Sequence, residues 1–142
     1  QSIFRWCSMH LKKAILLILG IAIIAVIIIF SQRKTDYQID DKVNTVTLTV
    51  YGLKAEPSVY SLNNKDNIEL LIKKINDITT KENKIMDEQQ LDKPKGVSYK
   101  LDFIGNKNYE YMLIHGYCIS NEEVYRVDNY NTFVEDIVKI FE

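Results

Sequence analysis

The sequence predicts an α+β protein, in which one N-terminal transmembrane helix precedes a small two-layer domain with an antiparallel sheet and helices on one face. Three observations lead to this prediction. A run of seventeen residues, 14–30, contains no charged or polar side chain. Several short segments alternate apolar with polar residues, which is typical of strands with one buried face. Two other segments place apolar residues three and four positions apart, the spacing of one face of a helix.

The apolar run is long enough to cross a bilayer when it is extended back to Leu11. Residues 11–30 rise about 1.5 Å each and so span about 30 Å, the thickness of the hydrocarbon core. A removable signal peptide is the alternative, but its hydrophobic region is only about 7–15 residues long and is followed by small residues. Here the run ends in Phe30, and residues 31–33 offer no Ala-x-Ala pattern. A retained anchor over residues 11–30 is therefore favoured.

The charges on the two sides of the run indicate its orientation. Three basic residues precede it, Arg5, Lys12 and Lys13, against two directly after it, Arg33 and Lys34. Residues 36–142 contain all 19 acidic residues but only 13 of the 18 basic ones, a net charge of −6. Basic residues favour the cytoplasmic side, and an anionic domain is repelled by the anionic cytoplasmic leaflet. We expect a single-pass protein of the cell membrane, with a cytoplasmic tail over residues 1–10 and an extracytoplasmic C-terminal domain.

The remaining chain divides into a stalk and one domain. Residues 31–42 are polar and without periodicity, which predicts a polar stalk. Residues 43–142 number about a hundred, enough for one small domain with one core. The segment 44–50 alternates threonine with valine and leucine, so it predicts the first strand of that domain.

A helix and a long connection follow the first strand. Residues 64–66 supply capping candidates for the helix. Its apolar stripe consists of Ile68, Leu71, Ile72, Ile75 and Ile78. Residues 79–95 are polar and predict a long exposed connection, with room for a helical turn at 85–91.

The next segment predicts a three-stranded meander. Four apolar or aromatic residues alternate with polar ones: Val97, Tyr99, Leu101 and Phe103. Residues 105–108 predict a four-residue hairpin turn, and residues 109–119 its partner strand. A turn at 120–121 then leads to a third strand over 123–128. Thr132–Glu135 fits a capping box that opens a final short helix. The predicted order is therefore β-α-β-β-β-α.

Pairing across the predicted hairpin assigns the side chains to two faces. With a four-residue turn, Ile104 opposes Tyr109. The core face then carries Val97, Tyr99, Leu101, Phe103, Met112, Ile114, Cys118, Tyr125 and Val127. The opposite face carries Val124 and the candidate binding residues Lys100, Tyr109, Tyr111, Leu113, His115, Tyr117 and Arg126. Tyr and Arg are favoured at interfaces, so this face predicts contact with a partner. The alternative is that tyrosines simply suit half-exposed strands, and a one-residue shift at the hairpin would exchange the faces.

The sequence contains no motif for a catalytic, cofactor or metal site. His115 and Cys118 are three residues apart on a predicted strand, so their side chains point to opposite faces. Signatures of serine nucleophiles, phosphate loops and zinc sites are absent. Cys118 is expected to be a small buried apolar residue. We therefore expect neither an enzyme nor a cofactor, and the net charge of −6 disfavours nucleic-acid binding.

The layout resembles a group of uncharacterised, membrane-anchored or lipoprotein-type domains of low-G+C Gram-positive bacteria. Three segments carry the resemblance: NIELLIKKI at 67–75, YKLDF with YEY in the hairpin, and FVEDIVKIF at 133–141. The resemblance implies an extracytoplasmic α+β domain without an established activity, so it assigns no functional residue.

Two hypotheses for the function remain open. The first is a binding domain, whose outer sheet face contacts another membrane or envelope protein or peptide while the helix lies in the lipid bilayer. The second is a structural or assembly subunit that acts through its transmembrane helix, where Gly20, Ala22 and Ala25 form a patch of small residues. A third class, a sensor of small ligands, has no supporting cluster of residues.

Overall fold

The computed structural model describes residues 2–33, 38–92 and 95–142, and the chain separates into two compact units, Gln1–Lys34 and Thr35–Glu142. The first unit is a single helix, α1, Ser2–Arg33. Within it, Cys7–Ile28 has a mean hydropathy of 2.7 and is 0% buried. Among the described residues this one helix is long and apolar enough to cross a membrane, so the predicted N-terminal apolar helix is confirmed. The helix is longer than the predicted span and runs through most of the predicted tail.

The second unit is built on an antiparallel sheet, which has seven strands among the described residues, in the order β2-β1-β4-β5-β6-β7-β3. The strands are β1 Val43–Tyr51, β2 Ser58–Leu62, β3 Lys84–Asp87, β4 Ser98–Gly105, β5 Asn108–Ile114, β6 Tyr117–Ser120 and β7 Glu123–Arg126. The helices are α2 Lys65–Ile78 and α3 Tyr130–Phe141, and a 3₁₀ turn covers Glu88–Gln90. The predicted α+β class is confirmed.

Both helices of this unit pack on one face of the sheet. α2 contributes Ile68, Leu71 and Ile75 to the buried core, and α3 contributes Val134 and Ile137. The inward residues of the sheet are Val46, Leu48, Val50, Leu101, Phe103, Tyr111, Leu113, Cys118 and Tyr125. We call the opposite side of the sheet the open face. The two-layer arrangement with helices on one face is therefore present as predicted.

Three of the strands given above were not predicted from the sequence. The predicted strand 109–119 is in fact β5 and β6, because a two-residue turn at His115 and Gly116 (φ 44° and 89°) folds the chain back. Positive φ at both positions is the requirement of such a hairpin turn. β2 is short and contains two serines, and β3 lies within the 79–95 segment that was predicted as an exposed connection. The helical turn expected at 85–91 is only the 3₁₀ turn, and residues 93–94 lie outside the described residues.

The caps of the two helices differ from each other. Asn64 caps α2 as predicted, since its side chain accepts a hydrogen bond from the Asn67 N–H at 3.1 Å. α3 begins two residues before the predicted capping box, at Tyr130, after Asn129 in a left-handed conformation (φ 52°). Thr132 therefore lies inside the helix, so the capping box predicted at Thr132–Glu135 is wrong; Asn129 itself makes no side-chain cap bond.

The end of the predicted stalk belongs to the folded unit. Ile39 is 5% exposed and lies in the core. The Asn76 carboxamide of α2 holds its backbone with two bonds of 2.9 Å, accepting from the Ile39 N–H and donating to the Ile39 C=O. Gln38 donates to the Asn76 C=O at 2.9 Å, and Tyr109 donates its hydroxyl proton to Asp40 at 2.9 Å. The stalk predicted over 31–42 is therefore too long, because residues 38–42 are docked and 31–33 continue α1. Residues 34–37 lie outside the described residues.

Candidate interaction surface

The register of the β4–β5 hairpin decides where the predicted site residues lie. Ile104 opposes Asn108, so the turn contains three residues instead of the expected four. Leu101 consequently opposes Tyr111, and a shift of one residue moves every β5 side chain to the other face. Gly105, the first residue of this turn, packs against the carbonyl oxygen of Lys42, where a Cβ would overlap that oxygen.

The predicted tyrosine-lined binding face is therefore wrong. Tyr111 and Leu113 are both 0% exposed and belong to the core. Tyr109 also faces the core side and is half-buried. Met112 and Ile114, which were predicted in the core, lie half-buried on the open face.

The other predicted site residues do lie on or near the open face. Tyr117 opposes Arg126, and Lys100 lies two strands away, with its ammonium 3.7 Å from the Asp102 carboxylate. His115 occupies the β5–β6 turn, where its Nε2 lies 2.7 Å from the Lys95 carbonyl oxygen. The structure thus keeps Lys100, Tyr117 and Arg126 on this face, but not the aromatic strip that motivated their selection.

The open face carries a broad groove of about 710 Å³. Its lining includes two apolar residues, Met112 and Ile119, and four charged ones, Glu88, Lys107, Glu110 and Glu122. The 3₁₀ turn lies on this side, since Glu88 shares the groove and donates its N–H to the Glu122 C=O at 2.8 Å. Among the described residues, no group of three or more His, Cys, Asp or Glu side chains could hold a metal ion.

A smaller pocket of about 250 Å³ lies on the helix side of the sheet, between the β1–β2 connection and the end of α3. It is lined by Leu48, Val50, Leu53, Lys54, Ser58, Tyr60, Tyr99, Val138, Phe141 and Glu142. We call it the corner pocket. Its lining joins three strands, one connection and one helix, so the pocket exists only in the folded unit.

The sequence of the β1–β2 connection shapes the corner pocket. Gly52 has φ +89°, and a Cβ there would lie 2.7 Å from the Gly96 carbonyl oxygen, so the turn after β1 requires glycine. The following connection leaves Leu53 65% exposed at the rim. Tyr60 of β2 lines the same pocket and is 48% exposed. Two large apolar side chains that remain exposed around a concave site are typical of an interaction surface.

The pocket combines apolar walls with a few polar groups. Val138 and Phe141 are partly buried against the core and form its apolar base together with Leu48. The polar residues of the lining are Lys54, Ser58, Tyr60, Tyr99 and Glu142. Within the described part of the chain the hydroxyls of Tyr60 and Tyr99 form no hydrogen bond. Such a lining suits an apolar or aromatic group that is oriented by one or two hydrogen bonds.

The shifted pKa values belong to structural groups. Burial raises the pKa of the Cys118 thiol to about 12, so the thiol stays protonated and unreactive, and the expectation of a small buried residue is confirmed. Burial likewise raises the pKa of Tyr130 to about 12. The pKa of Tyr109 is raised by burial and by its hydrogen bond to Asp40.

Sequence reasoning missed the corner pocket, although one signal for it was present. Leu53 is an isolated large apolar residue in the connection between Gly52 and Pro57. An apolar residue in such a turn-rich connection has no place in a regular stripe, so it can be read as a surface contact. Tyr60 and Phe141 lie far apart in sequence, and only the fold brings them together.

Comparisons of the chain with protein-family models, with curated proteins and with solved structures give no match. The geometry of the chain is therefore the basis on which its function is inferred.

Proposed function

We propose that the protein is a membrane-anchored binding domain, whose corner pocket receives an apolar or aromatic side chain of another membrane or envelope protein or peptide. The observation that carries this proposal is the exposure of Leu53 and Tyr60, 65% and 48%, at the rim of one concave site. Full burial of a leucine side chain contributes about 1.5–3 kcal/mol. Because Leu53 is 65% exposed, a partner that covers it would gain about 1–2 kcal/mol from this side chain.

The anchor sets where the binding takes place. α1 supplies a helix of sufficient length and apolarity. The three basic residues before the apolar segment and the net charge of −6 after residue 35 support a cytoplasmic N-terminus and an extracytoplasmic second unit. Protease added to intact cells should then remove the second unit; its survival until the cells are broken would contradict this orientation. The proposal assigns the protein no catalysis, no cofactor and no nucleic-acid partner.

Photochemical crosslinking in intact membranes tests the pocket. A photoreactive phenylalanine analogue at position 60 should form an adduct with a different protein, whose mass separates it from a second copy of this chain. Leu53→Asp should lower the yield about tenfold or more, because a partner would have to bury a carboxylate. Ile104→Asp is the matched control, since Ile104 is 44% exposed and lies outside the corner pocket. Equal yields with Leu53→Asp and Ile104→Asp would refute the pocket as the binding site.

A further inference from the structure

The two edges of the sheet are protected to different degrees. β3 forms one edge and has only four residues, Lys84–Asp87. The Lys84 ammonium lies 3.3 Å from the Asp87 carboxylate and 3.1 Å from that of Glu123, and the register shifts between Lys84 and Met86. Charge, shortness and a bulge are the devices by which natural sheets prevent pairing at an edge. The β3 edge is thus closed to a further strand.

β2 forms the other edge; it is one residue longer than β3 and has neither a charged side chain nor a register shift. Its five residues, SVYSL, carry no charge, and its register with β1 is regular from Val46 opposite Leu62 to Val50 opposite Ser58. Val59 is 62% exposed on the open face, whereas on the helix side Tyr60 is 48% exposed and Leu62 packs partly buried against the core. The outer backbone groups of β2 have no strand partner among the described residues. This edge can accept another strand.

We infer that β2 pairs in antiparallel fashion with β2 of a second copy of this chain. A strand without charged residues can lie beside its own copy without the repulsion of like charges that would oppose most self-pairing in a domain of net charge −6. Full overlap of the two strands places Tyr60 opposite Tyr60 of the second copy, and Val59 opposite Ser61. This is an isologous contact, in which the same surface serves both partners.

The asymmetry of the edges determines the size of the assembly. A sheet that grows without limit needs two receptive edges in each copy, and here the β3 edge is closed. Pairing through β2 uses the receptive edge of both copies, so the assembly stops at a dimer. Each copy contributes only five residues, so the contact buries less area than the roughly 1,200–2,000 Å² of a stable soluble interface. Confinement of α1 to a membrane raises the local concentration of copies and compensates for this small area.

Disulfide crosslinking of the full chain in membranes tests the dimer. In a Cys7→Ser background, Tyr60→Cys should give a disulfide-linked species of twice the chain mass on mild oxidation. A disulfide requires Cβ atoms about 3.5–4.5 Å apart, so the yield should exceed that of Ile85→Cys at least about fivefold. Ile85 is the matched control because it is 42% exposed and lies on the closed edge. The native Cys118 is fully buried and does not compete.

The register and the nature of the occupant are tested in the same membranes. Two differently tagged copies that carry Val59→Cys and Ser61→Cys should crosslink to each other more than Val59→Cys does to itself. Adding Ser61→Lys to Tyr60→Cys should lower the dimer yield, because two ammonium groups then flank the contact. Equal yields at positions 60 and 85, or disulfides only with a different protein, would overturn the self-pairing. Both experiments use position 60, but the corner pocket is tested by an adduct with a different protein that Leu53→Asp weakens, and the edge by a disulfide to a second copy, so the two proposals can fail independently.

Discussion

Asn76 holds the segment that follows the apolar helix, and its removal should destabilise the second unit. Its carboxamide makes two backbone hydrogen bonds of 2.9 Å to Ile39, which is 5% exposed. A net contribution of about 0.5–1.5 kcal/mol per bond gives about 1–3 kcal/mol for the pair. We expect about 2 kcal/mol for Asn76→Ala, since the site is only partly buried. In a unit of this size that corresponds to a decrease in Tm of about 8–16 °C.

Thermal or urea unfolding of the full chain in detergent micelles, followed by tyrosine near-ultraviolet circular dichroism, measures this loss. Asn76→Asp is the matched variant, because it keeps the acceptor for the Ile39 N–H and loses the donor to the Ile39 C=O. Its effect should be at least as large as that of Asn76→Ala, because a carboxylate oxygen then faces the Ile39 carbonyl oxygen in place of the amide N–H. Hydrogen exchange at Ile39 should accelerate in step with the loss of stability. An unchanged midpoint for Asn76→Ala, with unchanged exchange at Ile39, would show that residues 38–42 are not held in this way.

Three further predictions concern the sheet and the final helix. Tyr111→Ser should destabilise the unit by about 3–5 kcal/mol, as expected for truncating a fully buried aromatic side chain. Tyr117→Ser should destabilise it by less than about 1 kcal/mol. Equal effects of the two substitutions in urea unfolding would contradict the observed register. Gly105→Ala should also destabilise the unit, because the added Cβ overlaps the Lys42 carbonyl oxygen, and a midpoint within error of the wild type would refute that contact. The raised pKa of Tyr130, about 12 in the folded unit, means that the stability it contributes is present below pH 10 and is lost between about pH 10 and 12. Tyr130→Phe should therefore flatten the decline of stability in this alkaline range; an identical decline in both proteins would assign it to other groups.

The strongest periodic segments were predictable from the sequence alone. β1 alternates threonine with Val46, Leu48 and Val50, and α2 carries an apolar stripe with Asn64 at its cap. Each of these elements buries one complete face, so its pattern survives in the sequence with little ambiguity. The segment from Ser98 to Phe103 alternates for the same reason, and its core residues were assigned correctly.

The register of the hairpin could not be predicted, because the turn sequence Gly-Asn-Lys-Asn is compatible with three or four loop residues. The sequence does not show that Gly105 lies against Lys42, which is distant in sequence and approaches it only in the folded unit. Both faces of β5 contain apolar residues, Tyr111 and Leu113 on one and Met112 and Ile114 on the other. The alternating pattern therefore did not indicate which face of β5 is buried. Because the register was predicted wrongly, the β5 site residues were assigned to the wrong face.

The His115–Gly116 turn was not predicted, because the alternating pattern continues on both sides of it. A residue followed by glycine between two β-rich segments is compatible with a two-residue hairpin. The flanking residues continue to alternate through it, so the segment resembled one long strand. β3 was missed for a different reason: two of its four residues are charged. Those charges protect an edge and contribute nothing to a core pattern.

Exchange of the anchor separates recognition by the second unit from assembly through α1. Gly20 is the only glycine of the apolar segment, Ala22 projects from another side of the helix, and a Cβ at Gly20 meets no atom within 4 Å beyond the adjacent helix backbone. Gly20→Leu therefore leaves the helix intact but would block close helix packing. If β2 forms the contact between copies, the Tyr60→Cys disulfide should persist after Gly20→Leu and after replacement of residues 11–30 by an unrelated apolar helix. The yield then depends on the edge strand and needs the anchor only for confinement to the membrane. A disulfide that disappears with Gly20→Leu, while urea unfolding of the second unit is unchanged, would place the specific contact in α1 and favour the assembly role over edge pairing.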